Sequence, residues 1–117
     1  MKILIVEDNP LIAQAIEEAG ERLQWTADRA TDGWEAIEKL ETEEEEYAAI
    51  VINADLPRHS GFGVLTYLRE EIGEELGNVI LMSSDSDHVR LRVGGDRVRV
   101  IATTNEVATL ERAMRGE

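Results

Sequence analysis

The chain has 117 residues, with 12 Lys and Arg against 25 Asp and Glu and a net charge of −13. This length predicts a single domain over residues 1–117, and the acidic balance argues against direct binding to nucleic acid or to an anionic membrane. Cysteine is absent, and no apolar run approaches the roughly 20 residues of a membrane span. We therefore expect a cytoplasmic protein without disulfides.

The first part of the chain alternates strand-like apolar runs with helical patterns. Asn9 and Pro10 give the N-cap and first-turn signals of a helix, directly after a short apolar run. The acidic residues 41–46 are interpreted as a solvated helix end and loop. The predicted elements are, in order, a strand over residues 3–6, a helix over 9–24, a strand over 25–30 and a helix over 31–40.

The next apolar run, residues 48–52, is the one around which the fold is predicted to form. It is β-branched and uninterrupted, which is typical of a strand buried on both faces of a parallel sheet. It ends in Asn53 and Asp55, as the first strand ends in Glu7 and Asp8. In open α/β sheets ligands gather at the carboxyl ends of the strands, so these four side chains are the candidate pocket.

The rest of the chain predicts a helix, a strand, an extended segment, a fifth strand and a last helix. A helix rich in apolar residues follows Gly61, and the strand over residues 78–83 ends in hydroxyls. Apolar residues alternate with polar ones over 87–95, which predicts an extended segment instead of a helix. Arginines alternate in the strand over 97–102, which predicts one face without a helix, and Thr103 and Glu106 have the spacing of a capping box before the last helix.

The β-α alternation implies a doubly wound parallel sheet. In addition, the acidic end of the first strand, the Asn53-Ala54-Asp55-Leu56-Pro57 loop and the hydroxyl after the fourth strand resemble the receiver domains of two-component response regulators. The resemblance covers nearly the whole chain. It implies a flavodoxin-like, five-stranded (βα)5 fold, here with a fourth helix that is short, irregular or absent.

The resemblance also implies a set of site residues. The family phosphorylates an aspartate at the end of the third strand and holds Mg²⁺ beside it. Two family positions are changed here, because the phosphoacceptor position carries Asn53 and the lysine position carries Thr103. The other positions carried over are Glu7, Asp8 and the backbone of Asp55 for the metal, and Ser84 for the hydroxyl.

These changes predict a module that does not accept a phosphoryl group. An amide is a far poorer nucleophile than a carboxylate, and it removes a negative metal ligand. We expect an atypical receiver-like module that is not an enzyme, requires no cofactor, binds Mg²⁺ weakly at most, and works through protein-protein interaction. The alternative is a conventional receiver with an inactivating Asp-to-Asn change at position 53. A small-molecule binder is disfavoured by the lack of a Gly-rich phosphate loop.

The partner is expected to be a histidine kinase, an output domain or a second copy of the chain in a homodimer. A local basic cluster in the acidic chain is the candidate interaction surface. Its arginines either solvate an exposed strand face or dock an acidic partner. The cluster comprises Arg90, Arg92, Arg97 and Arg99.

Overall fold

The computed structural model describes residues 1–42, 47–56, 63, 64, 66, 67, 70, 78–93 and 98–117, with the backbone alone at 92 and 93. The strands are β1 (Lys2–Val6), β2 (Thr26–Ala30), β3 (Ala49–Asn53), β4 (Val79–Ser83) and β5 (Arg99–Ala102). The helices are α1 (Pro10–Arg22), α2 (Gly33–Thr42), α3 (Ser86–Val93) and α4 (Val107–Met114). Residues 63, 64, 66, 67 and 70 are also helical. Predictions for residues 43–46, the loop over 57–62 and Arg97 lie outside the described residues.

All strand pairs are parallel, and the sheet has the order β2-β1-β3-β4-β5. β1, β3 and β4 lie in the middle and bury almost every side chain, because helices cover both faces. The first core layer contains Leu4, Ile50, Ile52 and Leu81 with Ala36 of α2 and Val89 of α3. The second contains Ile3, Ile5, Val51 and Met82 with Ile16 of α1 and Leu110 of α4. The predicted doubly wound fold is confirmed.

Helix α1 begins as predicted and ends two residues early. The Asn9 side chain accepts hydrogen bonds from the N–H groups of Leu11 and Ile12 at its start. At its end, Gln24 takes a left-handed backbone conformation with φ of 63°, and the Trp25 N–H donates to Gly20 O at 2.8 Å. This is the hydrogen-bond pattern of a Schellman motif, in which glycine is the usual left-handed residue.

The extended segment predicted over residues 87–95 is wrong, because Ser86–Val93 is an eight-residue helix. The apolar alternation was misleading, since Val89 is buried in the core whereas Leu91 is 83% exposed. Contacts with the sheet hold the helix despite its weak pattern: Arg90 Nη2 donates to Val100 O of β5 at 3.0 Å. The fourth helix of the fold was predicted to be short, irregular or absent, and the structure describes it as a helix of eight residues.

Two predictions at the end of the chain also fail. Thr103 and Glu106 form no capping box: Glu106 is the N-cap without a side-chain cap bond, and its N–H donates to Thr104 Oγ1. Nor does β5 have a bare face. Val100 is buried in the layer with α3, and on the other face Ile101 packs against the layer with α4.

Candidate functional site

Three neighbouring strands end side by side and bring their polar residues to one edge of the sheet. β1 leads into Glu7, β3 ends at Asn53 and β4 ends at Ser83, with β3 between the other two. Asp55 lies two residues after the end of β3, and its side chain contacts Ser83 at the end of β4. We call Glu7, Asn53, Asp55 and Ser83 the strand-end site.

Glu7 is the buried acid of this site, with 3% of its surface exposed. Its Oε1 accepts hydrogen bonds from the Asn9 N–H and from Asn53 Nδ2, each at 3.0 Å. Among the described residues, no group donates to its Oε2. Burial raises the pKa of Glu7 above its ordinary value of 4.5, with a smaller contribution from Asp8, while the two hydrogen bonds oppose the rise.

The side chain of Asn53 is oriented by contacts on both of its ends. Asn53 Oδ1 accepts the Asp55 N–H at 2.7 Å. A backbone N–H can only donate, so the amide oxygen must face Asp55 and the amide nitrogen must face Glu7. Asn53 therefore presents a hydrogen-bond donor to the buried acid, and its oxygen is already engaged.

Asp55 joins the end of β3 to the end of β4. Its Oδ1 accepts the Ser83 Oγ–H at 2.8 Å, and its Oδ2 accepts the Ser84 N–H at 2.7 Å. Burial raises the pKa of Asp55, but hydrogen bonds from Ser84 and Ser83 outweigh that effect and hold the pKa below its ordinary value of 3.8. The carboxylate is thus held in its charged form between two donors of β4.

Sequence reasoning placed the site hydroxyl at Ser84, whereas the hydroxyl that bridges two strand ends belongs to Ser83. Ser83 is the last residue of β4 and is 1% exposed; Ser84 is exposed and contributes its N–H to Asp55. The role of Ser83 was missed, and Asp55 was predicted in the pocket but without its contact to β4. Its place in the sequence could have identified Ser83, because it directly follows the last apolar residue of its strand.

Thr103 lies beside the strand-end site. Its N–H donates to Ser83 O at 3.1 Å, which continues the pairing of β4 and β5. Its Oγ1 is buried and has no hydrogen-bond partner among the residues that the structure describes. A threonine hydroxyl supplies no positive charge to the acids of this edge.

The side chains that could hold a metal ion make an incomplete set. Mg²⁺ takes oxygen ligands in near-octahedral geometry. Here Glu7 Oε1 is engaged by two N–H donors, Asn53 directs an N–H toward Glu7, and Asp8 is exposed. Within the described part of the chain, no group of three or more His, Cys, Asp or Glu residues is arranged to hold a metal ion. These side chains therefore offer only part of a ligand set for the family's metal, with Glu7 Oε2 as the buried oxygen that no described group engages.

The structure places two of the four arginines of the predicted cluster, and these two lie on different faces. Arg90 is on α3, where it also pairs with Asp87 at 2.9 Å. Arg99 alternates with the buried Val100, so its side chain belongs to the opposite face of β5, where Nη1 donates to the backbone oxygen of Glu117. The side chains of Arg92 and Arg97 lie outside the description. The two arginines that can be placed do not share one face.

A comparison with protein families identifies the family to which the fold just described belongs. The response regulator receiver domain matches residues 3–95, which is more than half of the chain. The chain therefore belongs to the family of response regulator receiver domains, the receiver modules of two-component systems. None of the described helices is long and apolar enough to cross a membrane.

Two curated relatives are longer than this chain. The response regulator protein PmrA of Pseudomonas aeruginosa is 36% identical over 96 residues, which are 81% of this chain and 41% of PmrA. The transcriptional activator protein IrlR of Burkholderia pseudomallei is 38% identical over 69 residues, which are 59% of this chain and 29% of IrlR. The chain spans less than half the length of either relative.

Solved structures share the fold over almost the whole chain. The receiver domain of the Francisella response regulator 1452 has a TM-score of 0.79 at 26% identity, with 97% of this chain and 93% of that chain covered. The receiver domain of the sensor histidine kinase PA1611 from Pseudomonas aeruginosa has a TM-score of 0.79 at 24% identity, with 98% and 94% covered. The latter holds a magnesium ion in its active-site cleft.

Proposed function

We propose that this chain is an atypical receiver domain that acts through protein-protein interaction without being phosphorylated. The observation that carries the proposal is Asn53 at the end of β3, with Nδ2 on Glu7 and Oδ1 on the Asp55 N–H. By resemblance to the family, this is the phosphoacceptor position. A neutral amide whose oxygen already accepts a hydrogen bond is a poor nucleophile for phosphoryl transfer.

Thr103 supports the same proposal from a different strand. By resemblance it stands where the family has a lysine, the cation that would pair with the acids or with a phosphoryl group. Its buried hydroxyl has no charge to offer. The alternative, a conventional receiver with a single inactivating change at position 53, leaves Thr103 unexplained, so we favour a receiver altered at both positions.

The proposal includes a metal-independent role. The magnesium ion in the PA1611 receiver suggests testing this chain for the ion, and Glu7, Asp8 and the backbone of Asp55 are the groups that would hold it. Since Asn53 donates to Glu7, we expect weak binding at most and no required cofactor. We also propose that residues 1–117 form one non-enzymatic domain in the cytoplasm.

The proposed partners are proteins: a histidine kinase, an output domain, or a second copy of the chain. PmrA and IrlR are a response regulator and a transcriptional activator, and the part of each that this chain does not cover is larger than the part that it matches. The net charge of −13 argues against direct contact with nucleic acid. The candidate interaction residues are Arg90, Arg92, Arg97 and Arg99, with Arg90 and Arg99 as separate contacts on different faces.

The test compares binding with and without a phosphodonor. Self-association and binding to a soluble histidine-kinase core are measured by sedimentation and calorimetry, before and after incubation with acetyl phosphate and Mg²⁺. The proposal predicts identical affinities in both conditions. A standard receiver serves as the control that must respond. An affinity that changes on incubation, together with a covalent mass increase of this chain, would refute the proposal.

A further inference from the structure

The carboxylate of Asp55 occupies the two donors that the end of β4 directs toward β3. The Ser83 Oγ–H reaches one of its oxygens at 2.8 Å and the Ser84 N–H reaches the other at 2.7 Å. A hydroxyl and an adjacent backbone N–H that converge in this way form an anion-binding pair, and bonds to a charged acceptor are stronger than neutral ones. The anion in this pair belongs to the chain itself.

The same contacts continue into the first turn of α3. Ser83 Oγ, while donating to Asp55, accepts the Asp85 N–H at 3.0 Å. Asp85 Oδ1 then accepts the His88 N–H at 3.3 Å, and Asp85 O accepts the Val89 N–H at 3.1 Å. The start of α3 is therefore linked, one hydrogen bond at a time, to the carboxylate at the end of β3.

The far end of this linkage reaches β5. Val89 is 4% exposed and packs in the core, which fixes the inner side of α3. The next residue, Arg90, donates to Val100 O of the edge strand at 3.0 Å and pairs with Asp87 on its own helix. Helix α3 is thus held at its start by Ser83 and Asp85 and at its middle by Arg90.

We propose that Asp55 is an internal anion that fixes the β4 end and the start of α3 in one arrangement, so that no external anion or added charge is needed to set the α3 surface. The inference rests on the proposed phosphorylation-independent function. It adds that Asp55 fixes the position of the α3 surface through which the chain would bind its partner. Asp55 acts here as a positioning residue through Ser83, without contacting a partner.

The first test is amide hydrogen exchange by nuclear magnetic resonance on the full chain and three variants. In Asp55→Ala, we expect the amides of Ser84, Asp85 and His88 to exchange about ten- to a hundredfold faster, because a charge-assisted contact is lost. Asp55→Asn keeps the shape with one oxygen, so it should lie between Asp55→Ala and the parent. Glu18→Ala removes an exposed acid of α1, away from the strand-end site, and should change these rates by less than about twofold.

The second test adds sodium acetate or inorganic phosphate to the parent chain. If Asp55 already fills the donor pair, the Ser84 amide resonance keeps its position over the titration. A saturable shift of that resonance would overturn the proposal, as would unchanged α3 exchange in both Asp55 variants while they remain folded by circular dichroism. Neither result depends on phosphoryl uptake measured by mass, so failure of this inference is separate from failure of the proposed function.

Discussion

The amide nitrogen of Asn53 donates a hydrogen bond to Oε1 of the buried Glu7 at 3.0 Å. This hydrogen bond explains how Glu7, with 3% of its surface exposed, is tolerated at the end of a central strand. The Asn53 amide donates to its carboxyl group, whereas an aspartate at position 53 would repel it. Changing the donor into a second carboxylate alters charge and hydrogen bonding together. A substitution at position 53 therefore acts directly on the surroundings of Glu7.

Asn53→Asp is expected to lower the free energy of unfolding by about 1–3 kcal/mol near neutral pH, since the new carboxylate replaces the donor to Glu7. Mg²⁺ should recover part of this loss in the variant and change the parent much less. Urea unfolding with and without Mg²⁺ measures both effects. Asn53→Ala, which removes the donor without adding charge, is the control and should show no Mg²⁺ response. An equal Mg²⁺ response in parent and variant would contradict this expectation.

Glu7 should make the chain less stable as the pH rises. Because burial raises its pKa above 4.5, the folded chain binds this proton more tightly than the unfolded chain. Its contribution is complete below the unfolded-state pKa and is lost as the pH rises through the folded-state pKa. In urea unfolding between about pH 4 and pH 8, the stability of the parent relative to Glu7→Gln should therefore fall with increasing pH. Parallel profiles would show that Glu7 titrates normally, and Glu18→Gln, at an exposed position of α1 away from Glu7, is the control.

The fold was predictable because the sheet is built from repeated, uninterrupted signals. The run over residues 48–52 is apolar throughout, and the structure buries its residues 49–52 from both sides within β3. Helix α3 was not predictable in the same way. Its apolar residues alternate, and it forms because Val89, Asp85 and Arg90 find partners on the sheet that the local sequence does not reveal.

The strand-end site was predictable as a place but not as a set of contacts. The ends of the apolar runs located Glu7 and Asn53 at one edge. They did not show that the Asp55 carboxylate faces β4 or that the Ser83 hydroxyl donates a hydrogen bond to it. A shift of one residue at the end of β4 decides whether the side chain of Ser83 or of Ser84 enters the site. That position depends on where strand pairing ends, which the local sequence does not reveal.

Gln24→Gly should stabilise the chain. Gln24 has a φ of 63°, a left-handed conformation that costs an L-residue about 1–2 kcal/mol and that glycine adopts freely. Since glycine also loses more entropy on folding, we expect a net gain of about 1 kcal/mol in the free energy of unfolding. Thermal and urea unfolding measure it. Gln14→Gly, at an exposed position inside α1, is the matched control and should destabilise by about 1 kcal/mol.

Arg99→Ser should weaken association with a second copy or with an acidic partner, and the remaining association should fall with salt. We expect a change of about fivefold in the dissociation constant, typical of an exposed charge. Sedimentation over a salt series measures it beside thermal melts. Arg29→Ser, on the opposite edge strand β2, removes the same charge as a control. If both variants associate as strongly as the parent, Arg99 does not take part in binding the partner.

The most direct measurement of the central claim is intact mass after incubation with acetyl phosphate and Mg²⁺. The parent chain, Asn53→Asp, the double variant Asn53→Asp with Thr103→Lys, and a standard receiver are treated side by side. We expect no added phosphoryl group on the parent, no long-lived product on Asn53→Asp because Thr103 supplies no cation, and a mass increase on the standard receiver. The double variant tests whether changing both positions together restores the ability to accept a phosphoryl group. A phosphoryl group on the parent, at Asp55 or any other residue by peptide mapping, would contradict the account.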